Sequence, residues 1–318
     1  MCETYESNID SRDFSLDSDY PLVSVILPTY NDTEYINRAI QSVYKQKYEN
    51  IQLIIVDSNP DSPLQGIEHS VGWIERLHQE AQGVSAARNI GLKRADGDII
   101  SFLDADDEWL PRKLAVQVEH LQDGPDIVYS DEYRTEGSSR YEFTALQPDT
   151  SRPLWKKHFL TGLIPIRTVA AWSYCFSEHR FDEQLSMSED PHLWTRILHD
   201  FSAEKIDRPL AIKHIRADSL TEDYKQMYRC QLQSAVDLAN RYEELRPLLI
   251  ERILRTKYTY AINCLEDAEC DSSTPQFKYL IKRGFRLHMT APLFIVSSIP
   301  IYQDKVYDYL SYIKRDFF

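Results

Sequence analysis

Apolar and polar residues fall along this chain in blocks, and the blocks predict elements. Residues 22–27 form a short apolar run ending at Pro28, the pattern of a buried strand. Asn31 and Glu34 read as a capping box, and the segment that follows, to about Gln46, carries a helical stripe through Ile36, Ile40 and Val43. A second apolar strand at 51–56 ends at Asp57, and Pro63 suits the first turn of another helix. Further on, the pattern predicts a strand at 73–78, a helix at 84–95, a turn at Asp96-Gly97-Asp98 and a buried strand at 99–103. A helix at 111–122 and a strand at 126–130 follow. From about Asp223 the chain reads as helical, with breaks at Pro247, near Ser272–Pro275, at Pro292 and at Pro300.

Strands that alternate with helices imply an α/β fold, a mostly parallel sheet flanked by helices. Ligands of such sheets bind beyond the carboxyl ends of the strands. The polar residues there are therefore the candidates: Thr29, Tyr30 and Asn31, then Asp57, Ser58 and Asn59, then Asp104, Ala105, Asp106 and Asp107. Three regions are expected: an acidic disordered tail at 1–20, a catalytic domain at 21–221 and a helical C-terminal extension at 222–318.

Composition narrows the function. The 318 residues are 42% hydrophobic, enough for a sizeable core, and the net charge of -14 argues against nucleic acid as a partner. Cys2, Cys175, Cys230, Cys264 and Cys270 show no metal-like spacing and read as reduced thiols. The first twenty residues lack the basic start and apolar run of a signal peptide. No stretch reaches the roughly 18 apolar residues of a membrane span, so the expected location is the cytoplasm.

Asp104, Asp106 and Asp107 stand together directly after an apolar strand. Carboxylates so placed repel one another unless a cation neutralises them, and Mg²⁺ or Mn²⁺ suits such an oxygen donor set. An EF-hand is excluded, because the loop position that needs glycine is Trp109. Asp107 by itself reads as a cap for the helix that follows. Glu189-Asp190 opens an amphipathic helix; the pair either complements the helix dipole or supplies a general base at a pocket edge.

Five strings together carry a resemblance. They are Val23-Ser24-Val25-Ile26-Leu27-Pro28-Thr29-Tyr30-Asn31, Gly83-Val84-Ser85-Ala86-Ala87-Arg88-Asn89-Ile90-Gly91, and Gly97 through Asp107 with its Asp104-Ala105-Asp106-Asp107 end. Arg180-Phe181-Asp182-Glu183-Gln184-Leu185 and Ser188-Glu189-Asp190-Pro191-His192-Leu193-Trp194 complete the set. In this order the chain resembles glycosyltransferase family 2 over about residues 20–221. The resemblance implies a GT-A type nucleotide-binding fold and an inverting, metal-dependent sugar transfer. It implies that Asp104 touches the ribose and Asp106 binds the metal, with Asp104 and His214 as further candidate ligands. Pro28, Thr29, Tyr30, Asn31, Asp57, Arg88 and Ala105 would line the nucleotide-sugar pocket. Asp190 would be the base, with Glu189 beside it.

Two departures stand out. Ser58 occupies a place often held by a second aspartate that helps recognise uracil, so a UDP-linked donor is an expectation that this residue does not support. In the segment 213–221, aligned on Ser219-Leu220-Thr221, Arg216 takes the usual histidine place and His214 the usual arginine place. The acceptor expected is a hydroxyl of a glycan or a polyprenyl-lipid-linked sugar. Residues 276–318 carry seven Lys or Arg against three Asp, with many aromatic and aliphatic residues between them. Such a segment suits peripheral contact with the cytoplasmic face of a membrane; the other reading is a helical cap on the catalytic domain. The rivals are a non-catalytic nucleotide-sugar-binding protein of this fold and a sugar-phosphate nucleotidylyltransferase. The second needs a Gly-rich basic loop where this chain has Pro28-Thr29-Tyr30-Asn31-Asp32.

Overall fold

A computed structural model describes residues 20–30, 35–59, 74–79, 83–216, 223–266 and 270–283. The acidic tail but for Tyr20, the capping box, the helix expected from Pro63, Asn31, and the breaks at Pro292 and Pro300 lie outside the described residues.

The first half of the chain builds β1 (Val23–Thr29), α1 (Ile36–Tyr44), β2 (Ile51–Asp57), β3 (Ile74–His78), α2 (Val84–Arg94) and β4 (Ile99–Phe102). The four strands lie parallel in the order β3-β2-β1-β4. β1 is buried along its whole length, which is why its sequence is a continuous apolar run. Alternate residues serve opposite faces: Val23, Val25 and Leu27 pack with Ile36, Ala39 and Val43 of α1, while Ile26 packs on the other side. That other side holds α2, and Gly91 sets its distance. A Cβ at Gly91 would meet Ile26 Cγ2 at 2.4 Å, so only glycine allows α2 to lie so close to β1.

The parallel sheet of the sequence reading continues into an antiparallel and mixed half. It comprises β5 (Glu108–Trp109), α3 (Lys113–Gln122), β6 (Ile127–Glu136), β7 (Ser139–Phe143), α4 (Leu154–Thr161), β8 (Ala170–Trp172), α5 (Glu189–Asp200) and β9 (Ala203–His214). β8 joins β4 antiparallel, β6 joins β8 antiparallel, and β9 runs parallel to β6 and antiparallel to β5. β6 outruns its apolar stretch because its far half pairs with β7 and β9. The β6–β9 register slips from Ser130↔Ile206 to Asp131↔Pro209 and Glu132↔Ala211, a bulge beside the carboxylates described below. The result is one nine-stranded sheet among the described residues. α1 and α3 pack on one face; α5 joins α2 on the other through Leu193, Trp194 and Ile197, grouped about Phe102.

The C-terminal extension is helical as expected: α6 (Tyr224–Arg241), α7 (Arg246–Glu266) and α8 (Cys270–Lys282). The break falls just before Pro247, which sits in the first turn of α7. No break occurs at Pro275. It lies inside α8, where the packing of Phe277 and Leu280, the former edge-on to Tyr258, holds the helix despite the missing N–H. The extension docks on α4: Phe159 and Leu160 pack with Ala235, Leu238 and Ala239, and Arg252 donates to the Leu160 carbonyl at 3.0 Å.

Gly91→Ala is expected to lower stability by about 1–3 kcal/mol through overpacking, although alanine is the better helix former. Urea unfolding checks this, and Ile26→Ala in the same chain should recover part of the loss.

Candidate active site

The carboxyl ends of the first three strands lie in line, with Thr29 opposite Asp57 and Asp57 opposite His78. Asp57 is fully buried: Oδ1 accepts from the Asn59 N–H at 3.0 Å and Asn59 Nδ2 at 2.7 Å, and Oδ2 pairs with Arg76 at 2.8 Å. Ser58 ties the strand ends further. Its N–H donates to the Thr29 carbonyl at 2.9 Å and its hydroxyl accepts from Gln79 at 2.7 Å. Pro28, Thr29 and Ala105 are buried, whereas Tyr30 is 54% exposed at the rim.

Arg88 is the centre of the site. The close approach of α2 brings its guanidinium, 3% exposed, over the end of β4 and the start of α5. Nη2 donates to Asp104 at 2.8 Å, and Nη1 donates to Glu189 at 2.8 Å and Asp190 at 2.9 Å. Phe181, from the fourth motif, covers the guanidinium at 5.3 Å. The two acidic motifs, far apart in sequence, thus meet on one side chain. Three carboxylates share one cation, and the electrostatics follow. Burial raises Asp104, but Arg88 and Arg167 outweigh it and hold the carboxyl below its ordinary range. Burial raises Asp190 to about 8, against Arg88 and with the help of Glu189 and Asp104.

Ser188, immediately before the acidic pair, has φ 65°, the single non-glycine residue with positive φ among the described residues. α6 closes over this turn, with Ser188 Oγ donating to Met227 Sδ at 3.4 Å and Gln226 donating to Ser186 Oγ at 2.9 Å.

On the far side of the aspartates, Arg216 pairs with Asp106 Oδ2 at 3.1 Å and lies over the Tyr35 ring at 4.4 Å. Arg38 donates to the Asp106 carbonyl at 2.7 Å and pairs with Glu108 at 3.2 Å. His214 is held differently from the expected metal ligand. Its Nε2 meets Glu108 at 2.7 Å and its Nδ1 meets Thr135 at 2.8 Å, so both ring nitrogens are engaged and Arg216 is the residue that faces Asp106.

Asp107 is not a helix cap, because α3 begins only at Lys113. It is buried in an ion cluster, paired with Arg167 Nε and accepting the His214 N–H at 3.1 Å, and burial raises its carboxyl to about 7. Arg167 also pairs with Glu132 at 2.5 Å, and Arg134 joins at 2.9 Å. The segment bearing Arg167 is pinned by its carbonyls: Trp109 donates to that of Arg167 at 3.0 Å, Gln117 to that of Thr168 at 2.7 Å, and Ser101 to that of Val169 at 2.6 Å. Fully buried Lys113 donates to Ser101 and Gln117, and burial pushes its ammonium well below the ordinary lysine value. Sequence reasoning missed Arg167 and Glu132. Arg167 sits in no motif, and Glu132 lies past the strand expected at 126–130, inside the longer β6.

The donor set fits a hard divalent cation. It is made of carboxylates, and three of them share the single guanidinium of Arg88. Asp182, His192 and Asp237 also gather, but Asp237 already pairs with Arg241 at 2.6 Å, so its charge is answered.

Strand ends that can line a nucleotide, beside clustered aspartates and an acidic helix start, define a GT-A type sugar-nucleotide fold. The chain belongs to glycosyltransferase family 2: residues 24–179 match the family profile described as Glycosyl transferase family 2. It is 34% identical over 194 residues to the Escherichia coli UDP-Glc:alpha-D-GlcNAc-diphosphoundecaprenol beta-1,3-glucosyltransferase WfgD, covering 58% of this chain and 73% of that one. Against three uncharacterized glycosyltransferases of Rickettsia, the chain spans about a third of their length. The fold matches S. aureus TarS 1-349 with a TM-score of 0.58 at 18% identity, covering 91% of each chain. It also matches the mannosyltransferase PcManGT from Pyrobaculum calidifontis, in complex with GDP-Man and Mn2+, with a TM-score of 0.58 at 19% identity over 91% of this chain and 86% of that one.

Arg167→Met is expected to cost about 3–5 kcal/mol, because Asp107 and Glu132 are left buried without their cation. Urea unfolding measures the loss, and Arg167→Lys should restore part of it.

Proposed function

We propose that this chain transfers a sugar, with inversion, from a UDP-linked donor to a hydroxyl of a glycan or lipid-linked acceptor. The observation that carries the reading is the convergence of Asp104, Glu189 and Asp190 on Arg88, which joins the donor-side aspartates to the acid pair. UDP is favoured because WfgD is named for UDP-Glc and TarS has been solved with UDP-GlcNAc. PcManGT, solved with GDP-Man, makes the base a matter for direct measurement. WfgD, named for a diphosphoundecaprenol acceptor, supports a lipid-linked one, in the building of polysaccharide.

In this reading Pro28, Thr29, Tyr30, Asn31 and Asp57 line the nucleoside pocket. Asp104 and Asp106 would hold a divalent metal, which supplies positive charge to the departing nucleoside diphosphate. Arg216, already beside Asp106, shares in neutralising that charge. Asp190 accepts the proton of the acceptor hydroxyl as its oxygen bonds to the anomeric carbon. The bond from that carbon to the diphosphate oxygen breaks on the opposite face, so the centre inverts. Arg88 keeps Asp190 and Asp104 in one fixed relation, and the negative charge of Glu189, the third carboxylate on the same guanidinium, adds to burial in making Asp190 a stronger base. His214 supports this edge through Glu108 rather than as a ligand.

The first test is titration with UDP, GDP and TDP, with and without Mn²⁺. UDP is expected to bind best, with binding that weakens at least about tenfold when Mn²⁺ is omitted or in Asp106→Ala. Binding indifferent to both would remove the metal-dependent donor site. A second test follows from the chemistry. Asp190→Asn should retain nucleotide binding but lose roughly 10²–10⁴-fold in transfer rate. The base must be ionised, so the rate of the native protein should climb with pH below about 8 and level off above it. A profile flat from pH 6 to 9 would take the base role from Asp190.

A further inference from the structure

We propose that the outer face of α8, continued across α7 and α6, is a docking surface for an anionic lipid bilayer. The alternation along α8 comes first. Phe277 and Leu280 are fully buried, while Lys278, Tyr279, Lys282 and Arg283 are exposed. One stripe of the helix is spent on the fold, and the other presents three cations and a tyrosine to the outside. The cations and aromatic rings form a connected ladder. Arg283 lies over Tyr279 at 5.4 Å, Lys257 of α7 lies 4.8 Å from Tyr279 and 5.8 Å from Tyr228, and Tyr228 of α6 stacks on Tyr260 at 4.5 Å.

Charge complementarity identifies the occupant. The chain is strongly acidic, with 50 Asp or Glu, yet none falls between Asp271 and Asp304. That same stretch holds Lys278, Lys282, Arg283 and Arg286 among Phe285, Leu287, Leu293, Phe294, Ile295 and Ile299. A basic, aromatic and apolar stretch in an otherwise acidic protein is suited to a negatively charged surface with an apolar layer beneath it. No described helix is long and apolar enough to cross a membrane, and the contact proposed is peripheral. Soluble carbohydrate is the poorer occupant, because sugars need open aromatic faces. Here Tyr228 and Tyr260 cover each other, and Lys257 and Arg283 lie against Tyr279.

The position of the surface has a consequence for the site. α6 carries Tyr228 in the ladder and, next to it, Met227 against Ser188, which precedes the acid pair. The docking face and the base are therefore joined through one helix. A bilayer held on this face would bring an acceptor anchored in lipid to the same chain as the base. That purpose rests on the lipid-linked acceptor reading, whereas the binding itself does not.

Sedimentation of the full chain with vesicles tests the surface without donor or acceptor. Phosphatidylcholine vesicles are compared with vesicles of equal parts phosphatidylcholine and phosphatidylglycerol. Binding is expected only to the second, weakening as salt rises. Lys278→Glu with Lys282→Glu and Arg283→Glu should weaken it at least about a hundredfold, at about fivefold or more per cation. Lys278→Ser with Lys282→Ser, two exposed changes that spare the Arg283–Tyr279 contact, should weaken it about thirtyfold with an unchanged urea midpoint. Equal binding to both vesicles, or full binding by the charge-reversed chain, overturns the proposal. So does binding of soluble oligosaccharide at Tyr279 without any vesicle preference. Nucleotide binding by a chain that ignores vesicles would leave the donor site standing and remove this surface alone.

Discussion

A single buried guanidinium organises this molecule. Arg88 has almost no access to water, and a charge so placed persists only if it is paired. It is paired three times over, with Asp104, Glu189 and Asp190. Burial, with the neighbouring Glu189 and Asp104 carboxylates adding to it, raises Asp190, and three carboxylates on one cation make the site receptive to a further one. The rest of the architecture can be understood as what places this contact. Gly91 lets α2 lie against β1, β4 ends two residues before Asp104, and the turn at Ser188 starts α5 with its two acids facing inward.

The mixed sheet divides the labour. Its parallel half lines up the ends of β1, β2 and β3 along one edge, with Asp57 tied down by Asn59 and Arg76. Its antiparallel half returns the chain to the same edge from the opposite direction. It delivers Glu132 on β6, His214 on β9 and Arg216 just beyond it. Arg167 then locks Asp107 to Glu132, so that the aspartate loop after β4 is fixed to the second half of the sheet as well as to the first. Buried ion pairs of this kind contribute little net stability, but removing one partner is costly. They suit a loop whose geometry matters more than its strength.

Family membership and site geometry carry different weight. The family follows from matches along the chain, whereas likeness to TarS and PcManGT at 18% and 19% identity concerns the fold. A feature particular to this chain is the exchange of His214 and Arg216. Glu108 and Thr135 occupy both nitrogens of the histidine, and the arginine, resting on Tyr35, takes the place at Asp106.

Much of the fold was legible in the sequence because its signals are local. Apolar runs at β1, β2 and β4 are continuous since both faces of those strands are buried, and Asp104 and Asp106 announce themselves by their place after such a run. Glu189-Asp190 was legible too, as acids opening an amphipathic helix. What the sequence could not convey is which distant groups meet. Asp107 read as a helix cap because its neighbours in the chain allow it; only the fold brings Arg167 to it and buries both. β6 looked short because its far half is polar, and its pairing with β7 and β9 holds it extended without an apolar run. Pro275 marked a break by its own chemistry, yet packing of Phe277 and Leu280 keeps α8 whole. Periodicity and motif spacing are set by backbone geometry over a few residues, so sequence alone determined the elements and the chemical types at their ends. Charge pairing and burial depend on groups as far apart in the chain as Arg88 and Asp190, so only the tertiary structure decided that Arg88 ties the site together.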